Sequence, residues 1–157
     1  MMHQWRLYLL IVCLLIPAGN ALLAQTRSLS LELGGSAGLA SINYEKAFRE
    51  AANLKLAYRI GLSGFPIDRN SGIAFVLPFA LQARWGTGPH KLETAMGFSL
   101  SFTTRVKFFS QAIPAIGYRY QASDKRLFYK IAYTPLISFL FNWQYQHWAG
   151  ITIGYDL

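Results

Sequence analysis

Large apolar residues alternate with small or polar residues along most of the chain. Within residues 91–103, the even positions run from Leu92 to Phe102 and are mostly large and apolar, while the odd positions include Glu93, Gly97 and Ser101. Successive side chains of a β-strand point to opposite faces, so a period of two separates these sets. The pattern therefore predicts a strand with one apolar and one polar face.

The same alternation recurs in several other segments of the chain. These are residues 54–62, 73–85, 116–121, 127–134 and 151–157. Short segments rich in Gly, Pro, Asp and Ser separate some of the strands, and slightly longer segments separate the others. The short ones are 86–90 and 122–126, and the longer ones are 66–72, 103–108 and 139–146. Tight periplasmic turns and longer outer loops are typical of outer-membrane barrels.

The number of strands follows from counting the direction in which each one crosses the membrane. If the last strand ends on the periplasmic side, counting back makes 49–52 a periplasmic turn and 38–48 a descending strand. An ascending strand must precede it, and residues 26–34, with Leu29, Leu31 and Leu33 on one face, supply it before a hairpin at 35–37. The prediction is an all-β fold, an eight-stranded antiparallel up-and-down transmembrane β-barrel. Pro78 and Pro114 lie inside strands, where each loses a ladder hydrogen bond unless it marks a bulge.

Composition agrees with a barrel in a membrane. Charged residues are 14% of the chain, against about 25% in ordinary soluble domains, and hydrophobic residues reach 53%. Beyond the N-terminal segment there is no convincing apolar helix, which leaves a closed barrel as the way to satisfy the backbone in lipid. Aromatic residues also fall at strand ends, as two interfacial girdles would require. The periplasmic set is Phe48, Trp85, Tyr120, Tyr129 and Tyr155, and the outer set is Phe65, Phe102, Phe109, Phe139 and Trp148.

The N-terminal segment has the layout of a secretory signal peptide. Arg6 precedes the apolar run 7–16, breakers follow, and Ala24 offers a small residue for cleavage before Gln25. We therefore expect a signal peptide over residues 1–24 and an outer-membrane β-barrel over 25–157. A retained membrane anchor is the alternative. Cys13, the single cysteine, lies inside the apolar run, so the mature chain has no thiol chemistry.

The polar face is dominated by Gly, Ala and Ser, which fit the narrow interior of an eight-stranded barrel, whereas the bulky face fits lipid. A soluble ligand carrier with the faces reversed is the structural alternative. In the membrane barrel, a network of charges of both signs would fill the lumen. Its members are Glu32, Glu45, Lys55, Arg59, Arg84, Glu93, Arg119, Lys130 and Asp156. We expect these charges to pair and plug the barrel, because unpaired buried charge is costly; an ion path or proton relay is the alternative.

Catalytic motifs do not stand out. The histidines after the signal segment are His90 and His147, and neither has a serine two residues on. A lipid-modifying enzyme would need His147 to meet Ser138 or Ser101 in space. No nucleotide loop, metal-ligand spacing or paired carboxylate motif is present, so we expect no enzymatic activity and no cofactor.

The cations outside the lumen suggest lipid contacts. The chain carries a formal net charge of +8, but its basic residues are scattered singly, which argues against nucleic acid as a partner. Arg69, Arg105 and Lys107 fall in the outer loops, where phosphate groups of lipopolysaccharide would be within reach. Solvated loop cations are the alternative.

Several stretches resemble a family of small bacterial outer-membrane β-barrel proteins, most of them uncharacterised. They are Gly-Gly-Ser-Ala-Gly-Leu-Ala-Ser-Ile-Asn-Tyr-Glu at 34–45, Gly-Tyr-Arg-Tyr at 117–120, Tyr-Thr-Pro-Leu at 133–136 and Gly-Ile-Thr-Ile-Gly-Tyr at 150–155. The resemblance implies an outer-membrane location and insertion by the barrel-assembly machinery. It brings no catalytic residue, and Leu157 stands where many barrels end in Phe.

Together these patterns predict a small integral outer-membrane β-barrel of the Gram-negative envelope with a plugged polar interior. Its role would be structural or interactive, in contact with outer-membrane lipids, lipopolysaccharide or a larger envelope complex. The alternatives are a lipid A-modifying enzyme, and a narrow pore or apolar-ligand carrier.

Overall fold

A computed structural model describes residues 26–68, 72–104, 108–138 and 143–157. Within these ranges the chain forms ten strands and one short 3-10 turn at Gly35–Ala37. The strands are β1 Arg27–Gly34, β2 Ala40–Ala51, β3 Leu54–Asp68, β4 Gly72–Trp85, β5 His90–Thr103, β6 Phe108–Tyr120, β7 Leu127–Tyr133, β8 Leu136–Ser138, β9 Gln144–Gln146 and β10 Ala149–Asp156. The predicted signal peptide lies outside the described residues.

The strands close into a barrel of eight antiparallel staves, where a stave is one strand, or two successive strands in line, that runs the length of the wall. Each neighbour in the order β5-β4-β3-β2-β1-β10-β7-β6 is hydrogen-bonded, and β5 pairs with β6 to close the ring. β8 continues β7 along the seventh stave, and β9 precedes β10 along the eighth. The β7–β10 pair and the β8–β9 pair share one register, with Ala149 opposite Tyr133 and Leu136 opposite Gln146. The predicted eight-stranded all-β barrel is therefore confirmed.

Prolines interrupt this ladder without bulges. Around Pro78, the β3–β4 register is the same on both sides, with Ile60 opposite Phe79 and Ser63 opposite Val76. The register of β6 against β7 and β8 is also constant, which places Pro114 opposite Pro135 in the gap between β7 and β8. Each proline therefore loses ladder bonds locally, as expected for a residue without an amide hydrogen.

The two faces of the strands lie as the alternation predicts. Bulky apolar side chains point outwards, with Ile42 and Met96 64% and 65% exposed. Small and polar residues such as Ser28, Asn43 and Ala80 point inwards and are buried. The alternative with an apolar interior and a polar outer wall is wrong for this chain.

The two ends of the barrel differ from the predicted loop pattern. Connections 52–53, 86–89 and 121–126 lie at the end that holds Thr26 and Leu157, here called the terminal end. The connection 35–39 and the ends of β3, β5 and β8, at Asp68, Thr103 and Ser138, lie at the opposite end, here called the Ser36 end. There β3 extends to Asp68 and β4 begins at Gly72, so both strands take up residues of the predicted loop 66–72.

The aromatic girdle at the terminal end is present on the outer wall, where its five predicted members are all exposed. At the Ser36 end, Phe102 is exposed as predicted. The prediction for Trp148 is wrong, since this side chain lines an interior cavity. Phe139 lies outside the described residues, as do the side chains of Phe65 and Phe109.

Candidate functional site

The charged residues of the interior form two groups, of which the first lies towards the Ser36 end. Arg59 Nη1 lies 3.2 Å from Glu32 Oε1, and both side chains are buried. Ser36 completes this group, here called the upper pair: Arg59 Nη2 donates to Ser36 Oγ at 2.8 Å, and Ser36 Oγ donates to Glu32 Oε2 at 2.7 Å. The charges are thus neutralised and also hydrogen-bonded.

Ser36 reaches the upper pair because the β1–β2 turn folds into the barrel. Ser36 and Ala37 are each only 2% exposed, although they belong to a connection. Gly34 and Gly35 have φ values of 72° and 74°, in the left-handed region that favours glycine. A Cβ on Gly35 would lie 2.6 Å from the Glu32 carboxylate. Two glycines therefore allow the turn to cover the upper pair.

The second group, here called the central cluster, lies between the upper pair and the terminal end. Its members are Glu45, Arg84, Glu93, Arg119, Lys130 and Asp156. Arg84 bridges two acids, because its Nη2 pairs with Glu45 Oε1 and its Nε lies 3.2 Å from Glu93 Oε2. Lys130 Nζ lies 2.8 Å from Glu93 Oε1. Glu93 is therefore held by cations from β4 and β7.

Arg119 connects the remaining acids of the central cluster. Its Nη1 lies 3.4 Å from Glu45 Oε1, and its Nη2 lies 3.1 Å from Asp156 Oδ1. The guanidinium carbon lies 3.3 Å from the centroid of the Phe128 ring, which is also buried. A cation over an aromatic face gains electrostatic attraction when both are desolvated. Arg119 is thus fully buried, with partners from β2, β7 and β10, while its Nε has no hydrogen-bond partner among the described residues.

Little space remains between the two groups. A gap of about 10 Å³, lined in part by Glu32, Arg59, Glu93 and Lys130, lies between the upper pair and the central cluster. A cavity needs roughly 10–15 Å³ of such volume to hold one water molecule. Side chains therefore fill this section of the interior, and its charged groups are paired.

Lys55 lies apart from both groups, near the terminal end. Its Nζ lies 3.0 Å from Glu50 Oε1 and donates to Thr26 Oγ1 at 3.1 Å. The Glu50 carboxylate is about half exposed, so solvent screens this pair. Lys55 is therefore paired at the terminal end and does not join the central cluster.

Sequence reasoning missed several partners of the interior charges. Glu50, the exposed partner of Lys55, falls in a predicted turn, and Phe128 is an aromatic residue on a face expected to carry small residues. Gln82 and Gln121 stand at inward positions, and their amides donate to Glu93 Oε1 at 3.2 Å and to Asp156 Oδ2 at 2.7 Å. Both glutamines occupy polar positions of the period-two alternation, and this position is the sequence signal that indicates an inward side chain.

His90 and His147 lie on the outer wall. His147 Nδ1 shares a hydrogen bond of 2.6 Å with the Tyr133 hydroxyl, which also contacts the Tyr145 hydroxyl at 2.7 Å. His90 shares a hydrogen bond with the Tyr118 hydroxyl. Ser101 lines an interior cavity, and Ser138 follows the inward Leu136 at a period of two. The pairing of His147 with either serine is therefore wrong, because the side chains lie on opposite faces of the wall.

Other sequence-based expectations meet the structure only in part. Arg69, Arg105 and Lys107 lie outside the described residues, so their contact with lipopolysaccharide stays a prediction. Within the four described ranges, no group of three or more His, Cys, Asp or Glu residues could hold a metal ion. The same ranges contain no helix that is long and apolar enough to cross a membrane.

Comparison with known proteins identifies a fold and no sequence family. No family model matches the chain, and no curated protein matches it. Among solved structures, the chain is similar to the N-terminal β-barrel domain of Pseudomonas aeruginosa OprF, with a TM-score of 0.57 at 12% identity. The similarity covers 85% of this chain and 96% of that domain. At this identity the match shows a shared barrel fold, while the family suggested by the sequence stays a prediction.

Proposed function

We propose that this chain is an integral outer-membrane β-barrel of the Gram-negative envelope, with a plugged interior and a non-enzymatic, structural or interaction role. The observation that carries the proposal is the combination of a closed barrel with an apolar outer wall and charges inside. In a closed barrel, the backbone hydrogen-bonding groups of each strand pair with those of its neighbours, as a bilayer requires.

The outer wall supports the membrane location. Large apolar side chains such as Leu31, Ile60, Phe98, Ile131 and Ile153 are 44% to 59% exposed and lie on different staves. Soluble monomers rarely expose contiguous apolar patches larger than a few hundred Å². A wall that is apolar on successive staves is suited to lipid acyl chains, with the exposed aromatic residues at its edges.

The filled interior supports a plug in preference to a pore. The upper pair and the central cluster occupy the barrel cross-section one above the other, and the gap between them holds at most about one water. Moving an ion through this section would require separating buried ion pairs, which is costly in a low-dielectric interior. The charges thus serve to fill and neutralise the lumen.

The proposal includes the export route and partners. Residues 1–24 would be removed as a signal peptide, and the barrel-assembly machinery would insert residues 25–157. Arg69, Arg105 and Lys107 would contact lipopolysaccharide phosphates from the outer loops. Its function would then reside in the outer wall and the loops, where the barrel would pack against lipids or a larger envelope complex.

Membrane fractionation of a Gram-negative host that expresses the full chain tests the location. We expect the protein in the outer-membrane fraction, shortened by the leader, and with a mobility on SDS gels that changes after boiling, as closed barrels resist the detergent. Recovery in the soluble periplasmic fraction, or in the inner membrane with the leader retained, would refute the proposal.

A further inference from the structure

The charged groups do not fill the Ser36 end of the interior. A cavity of about 440 Å³, here called the upper cavity, lies there. Residues from several staves line it, including Val76, Ser99, Ser101, Gln111, Leu136 and Trp148. Pockets for small molecules commonly measure about 300–1,000 Å³, so the upper cavity has the volume of a small-ligand site.

The described lining of the upper cavity carries no formal charge. None of the described residues that line the upper cavity is Asp, Glu, Lys, Arg or His, although the upper pair lies directly below. Ser36 forms part of the lining and directs its hydroxyl to Glu32. The nearest charges are thus already satisfied on their own side. Against these described walls, a charged ligand would lose water without gaining an opposite charge, so they favour a neutral one.

Trp148 lines this cavity beside the aliphatic side chains of Val76 and Leu136. Its Nε1 is buried and has no hydrogen-bond partner among the residues that the structure describes. Because that nitrogen is covered, a molecule in the cavity would contact the side chain of Trp148 without reaching its N–H.

Trp148 also borders the outer surface of the wall. The seventh stave is interrupted at 134–135 and the eighth at 147–148, but the Thr134 N–H still donates to the Trp148 carbonyl at 2.9 Å, so the two staves stay joined there. A depression of about 290 Å³ on the outer wall is lined by Tyr133, His147, Trp148 and Ala149. Trp148 therefore borders both this depression and the upper cavity.

We propose that the upper cavity binds one neutral, largely apolar small molecule in contact with Trp148. This binding function goes beyond the proposed structural role and does not require the barrel to conduct.

Two matched probes test the proposal by NMR. The full chain, ¹⁵N-labelled and folded in detergent micelles, is titrated with the neutral ketone 4-phenylbutan-2-one and, separately, with 4-phenylbutanoate, which carries a carboxylate on a similar apolar body. We expect a saturable shift of the Trp148 indole signal with the ketone and none with the carboxylate; Trp148→Phe identifies the signal. Shifts that rise linearly without saturation, or equal shifts of the exposed Trp85 and Trp143, would overturn the proposal.

A pair of variants on one strand locates the site. Val76→Phe fills the upper cavity, and Leu77→Phe adds an aromatic ring to the outer wall one residue away. We expect at least a tenfold weaker ketone affinity in the first variant and an unchanged affinity in the second. The boiling-dependent gel mobility reports folding, and Ser101→Leu replaces Val76→Phe if that variant does not fold. Wild-type affinity in the cavity-filling variant would contradict the site.

Discussion

Arg119 is the residue on which the central cluster depends most. It is fully buried and lies near carboxylates from β2 and β10 and the ring of Phe128. A buried ion pair adds little stability over an apolar pair, because desolvation offsets the attraction. Removing one partner is different, since it leaves the opposite charge buried and unpaired.

The substitution Arg119→Met tests this dependence. We expect it to lower the free energy of unfolding by about 3–5 kcal/mol, because Asp156 and Glu45 lose a cation in the interior. Urea unfolding of the barrel in phospholipid vesicles, followed by tryptophan fluorescence, measures the change. Arg126→Met is the control, since Arg126 is exposed in the 121–126 connection and surface changes stay within about 0.5 kcal/mol. Equal stabilities of the two variants would show that the cluster has no such role.

At the scale of elements, the inward turn at Gly35–Ala37 distinguishes this barrel from a plain ladder of hairpins. The turn is buried, contributes Ser36 to the upper pair and separates that pair from the upper cavity. Its path requires glycine at Gly35, where a side chain would meet the Glu32 carboxylate in a backbone conformation that other residues rarely adopt.

Gly35→Ala is expected to destabilise the barrel by about 1–3 kcal/mol, the usual cost of a strained backbone position. Gly88→Ala is a matched control in another connection, because a Cβ at Gly88 meets nothing within 4 Å. The same vesicle unfolding assay compares them. If Gly35→Ala proves as stable as Gly88→Ala, the turn does not hold the inward conformation described here.

The strands could be predicted from sequence, whereas the interior arrangement could only be predicted in outline. Period-two alternation is a local property of each strand, so residues 91–103 revealed β5 without knowledge of its neighbours. Alternation also placed Glu93 and Arg119 on inward faces. Which charges meet, as Arg119 meets Asp156, depends on the registers of strands far apart in sequence. The inward Trp148 and Phe128 were missed because bulky residues normally belong to the outer face.

At the scale of the whole molecule, the outer wall is the feature that requires a membrane. A cation in the middle of a lipid-facing strand costs about 2–4 kcal/mol, and near an interface only about 0–1. In a water-facing wall, the same substitution would be neutral or favourable.

The substitutions Leu77→Arg and Leu92→Arg compare a mid-wall position with a position near the edge of the wall, and so test whether the outer wall faces lipid. Leu77 lies in the middle of β4, while Leu92 lies near the terminal end of β5, and both point outwards. We expect Leu77→Arg to lower the free energy of unfolding in vesicles by about 2–4 kcal/mol, and Leu92→Arg by at most about 1 kcal/mol. A cost that does not depend on position along the barrel would contradict burial of the wall in a bilayer.

Single-channel recording in planar lipid bilayers tests the plugged barrel most directly. The refolded wild-type protein is inserted at a known density, with insertion verified by recovery of folded, heat-modifiable barrel from the membrane. We expect no steady conductance, because the upper pair and the central cluster fill the cross-section. Reproducible ohmic steps from the wild-type protein would contradict the account, since they would require a continuous water path through residues described here as paired and buried.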